Sequence, residues 1–230
     1  MARHIGIVAC SAEGAALCYR TICAEGAARM GRHDHPEVTM HTHPLAEYMR
    51  YISAGEWSGV GELMLSSAGK LKGAGAELLI CPDNTIHQAM PFVLHRSPLP
   101  WLHIAEIVAE EAASRGFRRV GITGTKYLAE SEVYPDKLAE KGLEYVRPRP
   151  EDRLEINRII MDELVCGIFS PAAVAFMQAA IGRLASDGCD AVVLGCTEIP
   201  LIMNDTNSPL PTLDSTRLLA PAAVARATFA

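Results

Sequence analysis

Short β-branched runs alternate along this chain with longer stretches rich in alanine and leucine. IGIVA at residues 5–9 reads as a strand, and residues 13–29 read as a helix opening behind the Ser11-Ala12-Glu13-Gly14 turn. Further strands are expected at 38–41, 78–80, 120–123 and 191–194. Helices are expected at 61–72, 101–115, 132–141, 151–165 and 171–186, and Asp214-Ser215 can cap a last one reaching about Arg226. In the 101–115 segment Leu102, Ala105, Val108, Ala109 and Ala112 fall on one face. Strands separated by helical crossovers make an α/β protein with parallel sheet. The unbroken apolar runs LLI and AVVL fit strands covered on both faces.

An internal repeat sharpens that picture. The segment Gly75 to Thr85 (GAELLICPDNT) aligns with Gly188 to Glu198 (GCDAVVLGCTE) at an offset of 113 residues, and HIGI at 4–7 aligns with RVGI at 119–122 at an offset of 115. Two nearly equal offsets imply two similar α/β halves. Functional loops of such halves lie at the carboxyl ends of their strands. The repeat therefore sets Asp83 and Cys196 at equivalent points.

Composition narrows the classes. A chain of 230 residues, 49% hydrophobic and 21% charged, can bury a real core. A formal net charge of -6 gives no basic footprint for nucleic acid or an anionic membrane surface. No apolar run approaches the roughly 18 residues of a membrane helix. The opening MARHIGIVAC lacks the long apolar core of a signal peptide. Seven cysteines are an odd number and form no CxxC pair, which favours a reduced, cytoplasmic setting over a disulfide framework.

The residues at the repeat carry a family resemblance. LGCTEIP around Cys196, CPDNTIH around Asp83, the opening IGIVACSAEG, the mid-chain RVGITGT and the late strand-to-helix segment LPTLDSTR together resemble the aspartate/glutamate racemase superfamily, in the right order over essentially the whole chain. The resemblance implies two pseudo-symmetric, flavodoxin-like α/β/α lobes with parallel sheets and an active site in the cleft between them. The lobes would be residues 1–100, with 211–230 returning to the first, and residues 101–210. It also implies a cofactor-independent, PLP-free amino-acid racemase holding no metal, acting on a small carboxylate or amino acid without nucleic acid or membrane, as a homodimer. In that family two cysteines usually work on opposite faces of the substrate α-carbon. Carried over, Cys196 is the catalytic thiol, and Asn84, Thr85 and Thr197 are candidates for binding the α-carboxylate. Thr125, Ser11, Glu13 and His43 are further substrate-binding candidates lining the cleft. The chain departs from the pattern at position 83, where Asp83 replaces the cysteine usual before Asn-Thr. Asp83 then becomes the opposing acid/base. Alternatives of the same fold are a single-cysteine decarboxylase or cis-trans isomerase, and a ligand-binding member without catalysis.

Removing a proton α to a carboxylate needs a base, stabilisation of the developing enediolate and a dry site. A thiol can serve where dipoles favour the thiolate. A carboxylate is ordinarily ionised and a weak base, though burial or a neighbouring thiolate would raise its affinity for protons and couple the two groups. Asp83 and Glu13 make the expected site acidic, which argues against aspartate or glutamate as substrate and for a neutral or basic one. Other features take plainer readings. His33/His35 and His41/His43 could converge on a metal but read better as a polar loop entering a strand. Thr123-Gly124-Thr125 lacks a phosphate-loop pattern and reads as site lining. His87 reads as a helix-start hydrogen-bonding residue, and Trp57 and Trp101 as packing residues. Cys81 is not promoted to the missing acid/base. Cys10, Cys18, Cys23, Cys166 and Cys189 read as small buried hydrophobes, with Cys10 at the first strand's end.

Overall fold

The computed structural model describes residues 2–228. The chain divides into two compact units, one formed by residues 1–104 with 216–230, the other by 105–215.

In the first unit, β1 (Ile5–Ala9) is followed by α1 (Ala12–Met30), β2 (Val38–Thr42), α2 (Leu45–Ala54), α3 (Trp57–Gly73) and β3 (Leu78–Ile80). A 3-10 turn (Thr85–Ala89), the single-turn α4 (Met90–Val93) and the short β4 (Trp101–Leu102) complete its sheet. The strand order is β2-β1-β3-β4 with every pair parallel. Helix α5 (Ile104–Ser114) begins the passage to the second unit. There β5 (Arg119–Thr123), α6 (Lys126–Ala129), α7 (Val133–Glu140), β6 (Glu144–Val146), α8 (Pro150–Arg158), α9 (Pro171–Ser186), β7 (Ala191–Leu194) and β8 (Thr212–Asp214) build a sheet in the order β6-β5-β7-β8, again all parallel. Helix α10 (Ser215–Thr228) then leads back into the first unit.

The sheets share one wiring, and their registers explain the sequence repeat. Gly6 pairs with Leu79, and Gly121 with Val192, so the offsets of 115 and 113 recur as register partners. Both glycines are there for close approach. A Cβ on Gly6 would stand 3.3 Å from Leu71 Cβ of α3, and one on Gly121 would stand 2.8 Å from Leu184 Cδ1 of α9. Leu71 and Leu184 are themselves 113 positions apart. The central strands β1, β3 and β7 are buried throughout, which is why they read as unbroken apolar runs.

Several expected elements differ. The 101–115 helix starts only at Ile104, because Trp101-Leu102 extend as an edge strand beside β3. Ala105, Val108, Ala109 and Ala112 are buried as the helical face requires. The 151–165 helix ends at Arg158 and continues as a π-helical turn (Ile159–Glu163) and a 3-10 turn (Leu164–Cys166). Strand β6 and helix α2 were not foreseen as elements, whereas β8 and α10 fulfil the expected passage from strand to helix in LPTLDSTR.

Candidate active site

The candidate residues of the first unit gather at the carboxyl edge of its sheet, beyond β1, β2 and β3. After Ile80 the chain leaves the strand through Cys81, Pro82 and Asp83, and Thr85 opens the 3-10 turn. Asp83 is half-buried, and its Oδ1 accepts the Ile86 N–H at 3.3 Å, so one carboxylate oxygen helps start the turn. Asn84 is buried and Thr85 half-buried. The Asp83 carbonyl accepts from His87 Nδ1 at 2.7 Å and from the Cys81 thiol at 3.7 Å.

His87 is neutral in this setting. Its Nε2 accepts the Ile104 N–H at 3.3 Å, which places the proton on Nδ1, facing the Asp83 carbonyl. Burial depresses its pKa to about 4, against the opposing pull of that carbonyl. It braces the loop, as its helix-start position suggested. Cys81 is fully buried, and burial first, then the neighbouring Asp83 charge, holds its thiol protonated. Tyr48 of α2, also fully buried, stands near enough to Cys81, Cys10 and Asp83 to feel their charge, and burial keeps it a phenol.

Ser11 caps α1 by accepting the Gly14 N–H at 3.3 Å, and Glu13 lies exposed in the first helical turn. His43, just past β2, contacts Ser66 Oγ at 3.2 Å and sets its ring edge-on to His41 and Tyr48. His41 Nε2 meets Lys70 Nζ at 2.9 Å, and since ammonium only donates, Nδ1 carries the proton towards Ser67 Oγ at 3.0 Å. Burial, then Lys70 and His43, lowers the His41 pKa. His35 instead bonds the Pro36 carbonyl. The two histidine pairs therefore engage separate partners, and no cluster of three or more His, Cys, Asp or Glu fit for a metal occurs among the described residues.

In the second unit the residues gather at the carboxyl ends of β5 and β7. Thr123 Oγ1 donates to the Val193 carbonyl at 2.6 Å, and the Gly195 N–H donates to the Thr123 carbonyl at 2.9 Å. The chain leaves β7 so close to β5 that a Cβ on Gly195 would meet the Thr123 carbonyl oxygen at 2.6 Å. Thr125 caps α6, accepting the Leu128 N–H at 3.3 Å. Cys196 is half-buried beside the apolar cluster that includes Ile199 and Ile202. Its thiol donates to Glu198 Oε2 at 2.9 Å, and the buried Thr197 hydroxyl donates to the same oxygen at 2.8 Å. A 3-10 turn (Ile199–Leu201) follows, as one follows Asn84.

At the offset of 113 set by Leu79 and Val192, the register partners of Gly6 and Gly121, Asp83 falls on Cys196, Asn84 on Thr197 and Thr85 on Glu198. The two segments thus occupy the same station on two sheets of identical wiring. Glu198 and Tyr48 were absent from the residues the sequence singled out. Adjacency to Cys196 within GCTE was the available signal for Glu198, whereas nothing local marks Tyr48. The expectation for the other cysteines needs correction at Cys166, which is exposed, and at Cys23, which is half-buried. Cys166 sits where the helix gives way to a 3-10 turn and so misses the core. Burial raises the thiols of Cys18 to about 12 and Cys189 to about 11.

A family model described as Asp/Glu/Hydantoin racemase matches residues 6–223. The chain belongs to this racemase family. Among solved structures, a Yersinia pestis protein given a provisional Asp/Glu racemase designation is 30% identical with a TM-score of 0.91, over 99% of this chain and 100% of that one. An aspartate racemase homologue from Pyrococcus horikoshii OT3 is 29% identical with a TM-score of 0.85, over 100% of both chains. A curated relative, the broad specificity amino-acid racemase RacX of Bacillus subtilis (strain 168), is 24% identical over 195 residues, 83% of this chain and 82% of its own. The α/β fold of this racemase-family chain, two four-stranded parallel sheets flanked by helices, is the fold of those structural neighbours. No helix among the described residues is long and apolar enough to cross a membrane.

Proposed function

We propose that this racemase-family chain is a cofactor-independent isomerase that exchanges the proton on the carbon α to the carboxylate of an amino acid. Cys196 serves as thiol or thiolate on one face of that carbon, and Asp83 as the opposing acid/base. The observation that carries the reading is the common station of Asp83 and Cys196 in the two registers, Asp83 three residues past the end of β3 and Cys196 two past the end of β7, each leading into a 3-10 turn. Family membership supplies the reaction type. Asn84, Thr85 and Thr197, with backbone N–H groups of the turns, would bind the α-carboxylate and stabilise the enediolate as charge moves onto it. Ser11, Thr125 and His43 are offered as further contacts from the neighbouring strand ends.

The acidic character given by Asp83 and the exposed Glu13 favours a neutral or basic amino acid over a dicarboxylic one. The broad specificity in the name of the Bacillus subtilis relative accords with such a substrate range. The test is α-proton exchange in D₂O, followed by NMR over a panel of amino acids, with chiral analysis of the products. Exchange with at least one amino acid is expected, with interconversion of its enantiomers lost by about a thousandfold or more in Cys196→Ala and strongly reduced in Asp83→Asn. Exchange with no member of the panel, or interconversion of enantiomers that survives Cys196→Ala, would sink the proposal.

A further inference from the structure

Glu198 has so far been given no part in the reaction. Its side chain is almost wholly withdrawn from solvent, and Oε2 alone takes both the Cys196 thiol at 2.9 Å and the Thr197 hydroxyl at 2.8 Å. A glutamate carboxylate is ionised at neutral pH. Removing the thiol proton would set a second negative charge against it across a hydrogen-bond distance, where little water screens the pair. It would also turn a donor–acceptor contact into one between two acceptors. Both effects keep the proton on sulfur. Other titratable groups at this end of the sheet are Asp214, in register with Leu194, Tyr134 of α7, and Lys126 and Tyr127 at the start of α6, where the Lys126 ammonium lies 5.1 Å over the Tyr127 ring. The buried Tyr134 phenol stays neutral.

We propose that Glu198 holds Cys196 in its thiol form in the resting protein, so that Cys196 is the proton donor and Asp83 the base that opens the reaction. This rests on the racemase reading above. The Asp83 carboxylate takes the α-hydrogen as a proton, and the C–H electron pair moves into the substrate carboxylate as an enediolate. The Cys196 S–H bond then breaks as its proton passes to carbon. Asp83 is left protonated and Cys196 a thiolate facing Glu198. That thiolate, disfavoured by the adjacent carboxylate, is the stronger base for the opposite direction. Proton exchange with water restores the resting pair. One enantiomer meets a protein already loaded for it, and the other meets a state that must first be populated.

The thiol can be read without substrate. Iodoacetamide alkylation of Cys196, followed by peptide-resolved mass spectrometry across about pH 6 to 10, reports its thiolate fraction, with the exposed Cys166 as an internal reference. The wild-type midpoint is expected above the roughly 8.5 of an ordinary cysteine. Glu198→Gln should lower it by about one unit or more, making alkylation near neutral pH about tenfold faster. Glu198→Ala also removes the charge and serves if the glutamine variant misfolds. A wild-type midpoint at or below the ordinary value overturns the proposal. So does slower alkylation in the charge-removed variants, which would make Glu198 a base that draws the proton off sulfur. A raised, Glu198-dependent midpoint in a protein without α-proton exchange would sink the racemase reading and keep the thiol lock. Racemisation with an ordinary midpoint would do the reverse.

Discussion

The loop that presents Asp83 depends on a histidine that is uncharged at neutral pH in the folded protein. His87 gives its Nδ1 proton to the Asp83 carbonyl and takes the Ile104 N–H on Nε2. A second proton would displace that N–H and bury a cation. With the folded pKa at about 4 and an unfolded value of about 6.5, the unfolded chain binds the extra proton first as pH falls. Stability from neutral His87 is therefore whole above about pH 6.5 and declines towards pH 4, by on the order of 3 kcal/mol. Urea titrations at several pH values should show this slope, and His87→Gln, which cannot titrate, should flatten it. An unchanged slope in the variant would remove His87 as its source. Much at this scale was legible beforehand: the GCTE and DNT segments drew attention to Cys196 and Asp83 from their places in a repeat. Partners brought from elsewhere in the chain were not. Tyr48 stands among Cys10, Cys81 and Asp83 only because α2 folds it there, and no local pattern encodes that neighbourhood.

Among the elements, the exits from the strands place the chemistry. Gly195 lets the segment after β7 press onto the end of β5, and an added methyl would meet both Leu128 Cδ2 at 2.5 Å and the Thr123 carbonyl oxygen at 2.6 Å, the latter a backbone atom that cannot rotate away. Gly195→Ala is expected to destabilise the protein by about 2–3 kcal/mol and to displace Cys196. Thermal unfolding and the Cys196 alkylation rate should both change, and a variant of wild-type stability and reactivity would refute the close-packing argument. The elements legible in the sequence were those with strong, uniform patterns, such as the unbroken apolar β1, β3 and β7 and the capped α9. Those that escaped have physical reasons. β4 is only Trp101 and Leu102, too short to show a strand pattern and held by register to β3, and β6 is a three-residue edge strand with Glu144 and Tyr145 exposed, so it lacks an apolar signature. The 151–165 segment kept a helical pattern through Ile159 and Ile160, but a π-helical turn absorbs their burial and ends the α-helix.

For the molecule as a whole, the order of the chain matters as much as its packing. The second unit is one continuous stretch, whereas the first is completed only when α10 returns, its start tied to the far end of the sequence by the Arg3 N–H bond to the Ala227 carbonyl at 2.8 Å. Leu219, Ala220, Ala223 and Val224 of that helix are fully buried. Burying a leucine or valine is worth about 1.5–3 kcal/mol each, so removing residues 216–230 should take several kcal/mol from a total that is typically about 5–15. Loss of cooperative unfolding in urea, with exposed apolar surface detected by dye binding, is the expected outcome. A truncated chain unfolding as sharply as the intact one would show that α10 is dispensable.

The duplicated wiring has a consequence for how such a protein can change. A βαβ module encoded once and used in pairs would carry the same side chain at the same station in both copies, because one codon would serve both. Here the module is written twice in a single chain, with β1 to β4 and β5 to β8 in the same order. Each copy can then mutate alone, so carboxylate chemistry can be tried at position 83 while sulfur is kept at position 196. Two codons in place of one make an uneven pair of acids and bases available to selection, at no expense to the scaffold that holds them.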